Sequence, residues 1–192
     1  MMRIVLIRPG STEFDEQGRI KGTLSIPLSE QGARQVALAV DQLAQIGIEV
    51  VYTSPCESAR QTAEAVAESL GVKLQPMEKL QNLNQGLWQG KLIEEVRQKQ
   101  PKVYRQWQDH PETICPPEGE MLASARDRVQ SVLGKIFKKR KAGVIALVVP
   151  EPLASLIRCY LVGNDLGDLW EIECACGSWE RIDVEPGELV AT

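Results

Sequence analysis

Residues able to act as base or nucleophile stand beside several turn-forming segments of this sequence, and their placement bears on the chemistry. Asp15 follows the stretch LIRPGST, Cys56 lies in TSPCESARQ, and Glu151 sits between Pro150 and Pro152. Carboxylates and a thiol can each supply a base or a nucleophile. Imidazole is scarcer: the chain has one histidine, His110, in DHPETICPP. Pro9 stands at the turn after the first apolar run. Its fixed φ suits a turn, but it offers neither a nucleophile nor a backbone donor.

Strand-like and helix-like segments alternate around these groups. Residues 4–7 form a short apolar run bounded by turn residues, the pattern of a central strand in a parallel sheet. A polar loop follows over 9–27. Ser29 is placed to cap a helix whose Val36, Val40 and Leu43 share one face and which ends near Gly47. Residues 50–52 read as a second strand, Ser54-Pro55 as the start of a helix stopped by Gly71, and 72–74 as a third strand. Residues 75–118 are less regular and read as an insertion over one face of the sheet, covering the cleft. From Glu120 a long helix carries Leu122, Ala125, Val129, Val132 and Ile136 on one face. The run VIALVV (144–149) is the strongest buried-strand signal, and a helix over 153–162 ends at Gly163. Runs at 169–175 and 179–184, separated by Cys176-Gly177-Ser178, read as a C-terminal hairpin. The alternation predicts a single domain over 1–192, a three-layer α/β/α sandwich around a mostly parallel sheet.

Bulk properties exclude several functions. With 192 residues, 43% hydrophobic and 25% charged, the composition is that of a soluble globular domain, and no apolar run approaches a membrane span. The apolar N-terminal run leads into Arg8 and Pro9 rather than a small-residue cleavage site, so it reads as a core strand of a cytoplasmic protein. Five scattered cysteines make no disulfide framework. Cys174 and Cys176 share a face if extended, but a metal site needs further ligands and only His110 remains to offer imidazole, so no metal or cofactor is expected. A net charge of -4 argues against nucleic acid. Lys138 to Lys141 read as a solvated cap at a helix C-terminus, and Trp88, Trp107, Trp170 and Trp179 as packing residues.

In such a sheet ligands bind outside the C-terminal strand ends, which brings RPGST and the segment 150–152 into comparison. LIRPGSTEFDEQGRIKG, IPLSEQGARQ, YTSPCESARQTAEAVA, LQNLNQGLWQG and PPEGE, in that order, resemble five blocks of the histidine phosphatase superfamily, the phosphoglycerate-mutase-like proteins. The first block matches that family's Arg-His-Gly-x-Thr, with Arg8, Gly10, Thr12, Arg19 and Gly22 in place.

The resemblance implies a mechanism in which one histidine attacks a phosphoryl group. Two arginines and a second histidine stabilise its oxygens, and a glutamate protonates the leaving group. Matched position by position, the nucleophile falls on Pro9, the second arginine on Ser58, the acid on Asn82, and the second histidine on Glu151, or on Pro150 if the register slips by one. Arg60 is nearby, but residues two apart on a helix do not share a face. Family chemistry requires two histidines and the chain has one. The expectation is therefore a catalytically inactive member that binds a phosphorylated small molecule or a protein partner. Arg8, Gly10, Thr12 and Arg19 are its residual anion-binding residues. Arg8 has two readings, an anion contact or an arginine held by a carboxylate such as Glu151. Thr12, Asp15 and Arg19 read first as local turn bonds. The alternative is a phosphatase or other hydrolase of altered chemistry using Glu151, Asp15 or Cys56, although the arginine spacing around Cys56 is not that of a cysteine phosphatase.

Overall fold

In the computed structural model, which describes residues 1–163, 165–172 and 175–184, strand β1 (Met2–Ile7) divides its side chains between two faces. Met2, Ile4 and Leu6 enter one apolar cluster and Val5 and Ile7 another, as a period of two dictates. A strand buried on both faces needs helices on both. β2 (Val50–Thr53), β3 (Lys73–Pro76), β4 (Gly143–Val148) and β5 (Trp179–Val184) complete a sheet of order β3-β2-β4-β1-β5. All neighbours run parallel except β5, which is antiparallel to β1.

The helices are α1 (Glu13–Glu16), α2 (Glu30–Leu43), α3 (Glu57–Leu70), α4 (Ile93–Lys99), α5 (Pro101–Asp109), α6 (Leu122–Lys139), α7 (Leu153–Val162) and α8 (Leu169–Ile172). On one face Leu43 of α2 and Ala59, Ala63 and Val66 of α3 pack on Val5, Ile7, Ala146 and Val148. On the other, Val129, Val132 and Ile136 of α6 join Leu153 and Ile157 of α7 over Ile4, Leu6 and Leu147. The expected sandwich and mostly parallel sheet are present. Ends follow their caps: Ser29 Oγ accepts from the Gly32 amide at 3.0 Å, and Gly71 closes α3 at φ 64°.

Several boundaries shift by one or two residues and one element changes type. β3 begins at Lys73 rather than Val72, and α3 begins at Glu57 with Cys56 as its N-cap. The expected hairpin is not formed: 169–172 is the helix α8, and β5 pairs with β1 instead. Packing explains the difference. Trp170 is buried, its ring stacks on Tyr104 at 5.0 Å, and its Nε1 donates to the Tyr104 carbonyl at 2.9 Å. The Asp168 carboxylate accepts from the Trp170 amide at 2.9 Å, which favours a helical turn there. Cys174 lies outside the described residues, and Cys176 precedes β5 in irregular chain.

Residues 75–118 contain short 3₁₀ turns, α4 and α5, and tie to the loop after β1 through Ile20 N to Lys91 O at 3.0 Å and Gly90 N to Ile20 O at 2.8 Å. That loop also lies directly against α2. A Cβ on Gly32 would stand 2.0 Å from the Ser11 carbonyl oxygen, a backbone atom with little room to move. Gly32→Ala is expected to cost about 2 kcal/mol through overpacking; an unchanged urea midpoint would contradict this close approach. Among the described residues no helix is long and apolar enough to cross a membrane.

Candidate functional site

β1 and β4 run parallel in register to Ile7 beside Val148, and the Val149 amide donates to the Ile7 carbonyl at 3.0 Å. The residues that follow each strand therefore emerge side by side, bringing Arg8 to Glu151. Arg8 Nε donates to Glu151 Oε1 at 2.5 Å. The carboxylate is completely buried and the arginine side chain is 12% exposed. Glu151 Oε2 accepts from the Ser155 amide, in the first turn of α7, at 3.0 Å. The expected Arg8–Glu151 pair is thus formed.

Two further residues extend it. Arg8 Nη2 donates to Glu180 Oε1 at 3.2 Å, and Arg158 Nε donates to Glu180 Oε2 at 2.9 Å. The result is a row, Glu151, Arg8, Glu180, Arg158, of two carboxylates and two guanidiniums whose formal charges cancel. Burial works to lower the Arg8 pKa, but the charges and hydrogen bonds of Glu151 and Glu180 outweigh it and the net shift is upward. Arg8 stays charged at any physiological pH. Sequence reasoning missed Glu180 and Arg158. Arg158 had a signal, being the one charged residue in the α7 segment LASLIRCYLV. Glu180 had none, because its place opposite Leu6 depends on β5 pairing with β1.

The other candidates have partners of their own. The Arg8 amide donates to the Ser178 carbonyl at 2.9 Å and the Pro9 carbonyl accepts from the Gly177 amide at 2.8 Å, so the chain before β5 crosses this strand end. The Gly10 amide donates to Thr62 Oγ1 at 3.2 Å, and that hydroxyl donates to the carbonyl of the buried Ser58 at 2.8 Å. Thr12 caps α1: its amide and Oγ1 both donate to Asp15 Oδ2 at 2.7 Å, and Asp15 Oδ1 pairs with Lys21. Arg19 donates to Gln17 Oε1 and to the Gly90 carbonyl, each at 2.7 Å. Asn82 is buried and donates through Nδ2 to the carbonyls of Glu151 at 2.8 Å and Gly22 at 3.0 Å, while its Oδ1 accepts from the Leu153 amide. Hence Arg8, Glu151 and Asn82 meet, whereas Thr12 and Asp15 bond locally and Arg19, expected to do the same, reaches across to the Gly90 carbonyl as well as to Gln17. Arg60 points to Glu64 at 3.6 Å and is exposed. His110 ends α5 with its side chain 70% exposed.

This strand-end site can be set beside known proteins. The family model described as Histidine phosphatase superfamily (branch 1) matches residues 4–192. Phosphoserine phosphatase 1 of Hydrogenobacter thermophilus is 30% identical over 185 residues, covering 96% of this chain and 88% of the relative. Adenosylcobalamin/alpha-ribazole phosphatase of Escherichia coli is 24% identical, covering 95% and 90%. Bacillus stearothermophilus YhfR superposes with a TM-score of 0.85 at 22% identity, over 96% of this chain and 92% of that one. The mycobacterial glucosyl-3-phosphoglycerate phosphatase Rv2419c, solved with VO3, gives a TM-score of 0.84 at 20% identity, over 95% and 91%. Sheet, strand-end site and a match over nearly the whole sequence agree: this chain belongs to the histidine phosphatase superfamily.

Proposed function

We propose that this chain is a catalytically inactive member of its family, retained as a binding or scaffolding protein, with its phosphoryl pocket filled by its own Glu151 carboxylate. The observation that carries the reading is the buried Glu151 carboxylate 2.5 Å from Arg8 Nε. A carboxylate takes the same bonds from a guanidinium that a phosphate takes, so it replaces the anion that Arg8 is otherwise suited to hold.

The residues that the resemblance assigns to the reaction support it. Pro9 has no nucleophilic atom, and the Asn82 amide has no acidic proton and is spent on backbone carbonyls. Ser58 offers no charge, and Glu151 repels a phosphoryl group. The single imidazole, His110, sits at the exposed end of α5. Asn82 lies within 75–118 and bonds the Glu151 carbonyl, which supports reading that segment as a cover on the cleft. Cys56, Cys115 and Cys159 are free thiols, which suits a cytoplasmic location. The relatives' phosphatase names describe those proteins. In this chain a phosphorylated ligand would first have to displace Glu151 from Arg8, so a protein partner is the favoured occupant of its surface.

A thermal-shift titration with inorganic phosphate and phosphoserine tests the filled pocket, because a ligand that binds only the folded state raises its stability. The expected result is no saturable shift in the native chain or in Arg8→Ala. A saturable rise that disappears in Arg8→Ala would overturn it.

A further inference from the structure

A second place on the molecule combines an apolar recess with unpaired positive charge. At the β3 edge of the sheet a cavity of about 290 Å³ opens between the strands and the last turns of α6. Tyr52, Met77 and Ile136 form its mainly apolar wall, and Lys135, Lys138 and Lys139 stand around it. Order in the sheet sets β3 three places from β1, so this recess is separate from the Arg8 site.

Three facts call for explanation together. The lysines lie three and four residues apart, hence on one side of α6, and like charges so spaced repel. None of the three has a hydrogen bond or ion pair among the described residues, although the chain as a whole is acidic at -4. Tyr52 lines the same recess, and its hydroxyl, which solvent reaches, has no protein partner among the described residues. Favourable interaction with the helix dipole accounts for cations in the last turn at Lys138 and Lys139. It does not account for Lys135 one turn earlier or for the apolar wall that the three cations surround.

From this combination we infer that the cavity binds a small amphipathic carboxylate, its apolar body against Tyr52, Met77 and Ile136 and its anionic head among the three ammonium groups and the Tyr52 hydroxyl. Burial of the body supplies affinity and the charges supply selection, the usual division in a site with apolar walls and a few polar groups. The inference is independent of the Arg8 pocket, and neither depends on the other.

Calorimetric titration of the full chain with sodium decanoate below its micellar concentration is the test, beside decanol, acetate and phosphatidylglycerol vesicles. Decanoate is expected to bind saturably, with decanol at least about tenfold weaker for want of a charge-assisted contact and acetate at least about tenfold weaker for want of an apolar chain to bury. Lys135→Glu, Lys138→Glu and Lys139→Glu combined are expected to weaken decanoate at least about tenfold. Tyr52→Phe, which keeps the packing, is expected to weaken it about fivefold by loss of one hydrogen bond. Equal affinity for decanol, or unchanged decanoate binding in the triple variant, would overturn the proposal. Vesicle binding with no binding of monomeric decanoate would also overturn it, in favour of a lipid surface.

Discussion

Glu151→Ala is expected to lose about 3 kcal/mol of stability and to recover part of it in millimolar phosphate, which leaves the native chain unchanged. Removing one partner of a buried ion pair leaves the other charge poorly solvated, at about 3 to 5 kcal/mol. The lower end applies here because Glu180 still reaches Arg8 at 3.2 Å and Arg8 is 12% exposed. Loss of the Ser155 amide's acceptor adds to the cost. Phosphate enters the account because the vacated position faces a guanidinium held above its ordinary pKa by two carboxylates, one of them now gone. Chemical unfolding with and without phosphate reads both effects. Full retention of stability, or the same phosphate response in both proteins, would sink this account of the pocket.

Trp88→Ala is expected to cost about 4 kcal/mol, the range for truncating a large buried aromatic. Trp88 is 2% exposed and central to an aromatic group, with Trp107 edge-on at 5.5 Å and Trp170 at 5.6 Å. The cluster fastens 75–118 and α8 to the sheet, so its loss is felt in the whole fold. Its Nε1 is buried with no hydrogen-bond partner among the described residues. Trp88→Phe therefore removes a group that contributes no bond and is expected to cost only about 1 kcal/mol despite the smaller ring. Urea midpoints for the two variants decide the matter; equal losses would mean that ring volume and position do not carry the packing.

Much of this was legible before the fold was known, for identifiable reasons. The helix at 153–162 matched its observed bounds because a mainly apolar run ends at Gly163, which adopts φ 74°. The Arg8–Glu151 contact was legible through the family resemblance, which sets Glu151 at the second histidine's position beside Arg8, and the level ends of the parallel strands β1 and β4 bring the two together. Thr12 and Asp15 form a local capping box, as residues of these types three apart tend to do. What escaped was set by distant contacts. A four-residue segment such as 169–172 carries no decisive period, and its helix depends on Trp170 meeting Tyr104, sixty-six positions away. Glu180 reaches Arg8 only because β5 folds back beside β1.

The central claim is that a chain with one exposed histidine, and with Arg8 held by Glu151, does not turn over phosphoryl esters. Its most direct test is steady-state phosphate release from a broad ester panel that includes phosphoserine, measured for the native chain, Glu151→Ala and Cys56→Ser. The account predicts no release above the protein-free blank in any of the three. Sustained release by the native chain, lost in Glu151→Ala or Cys56→Ser, would contradict it and identify the residue that carries an altered chemistry.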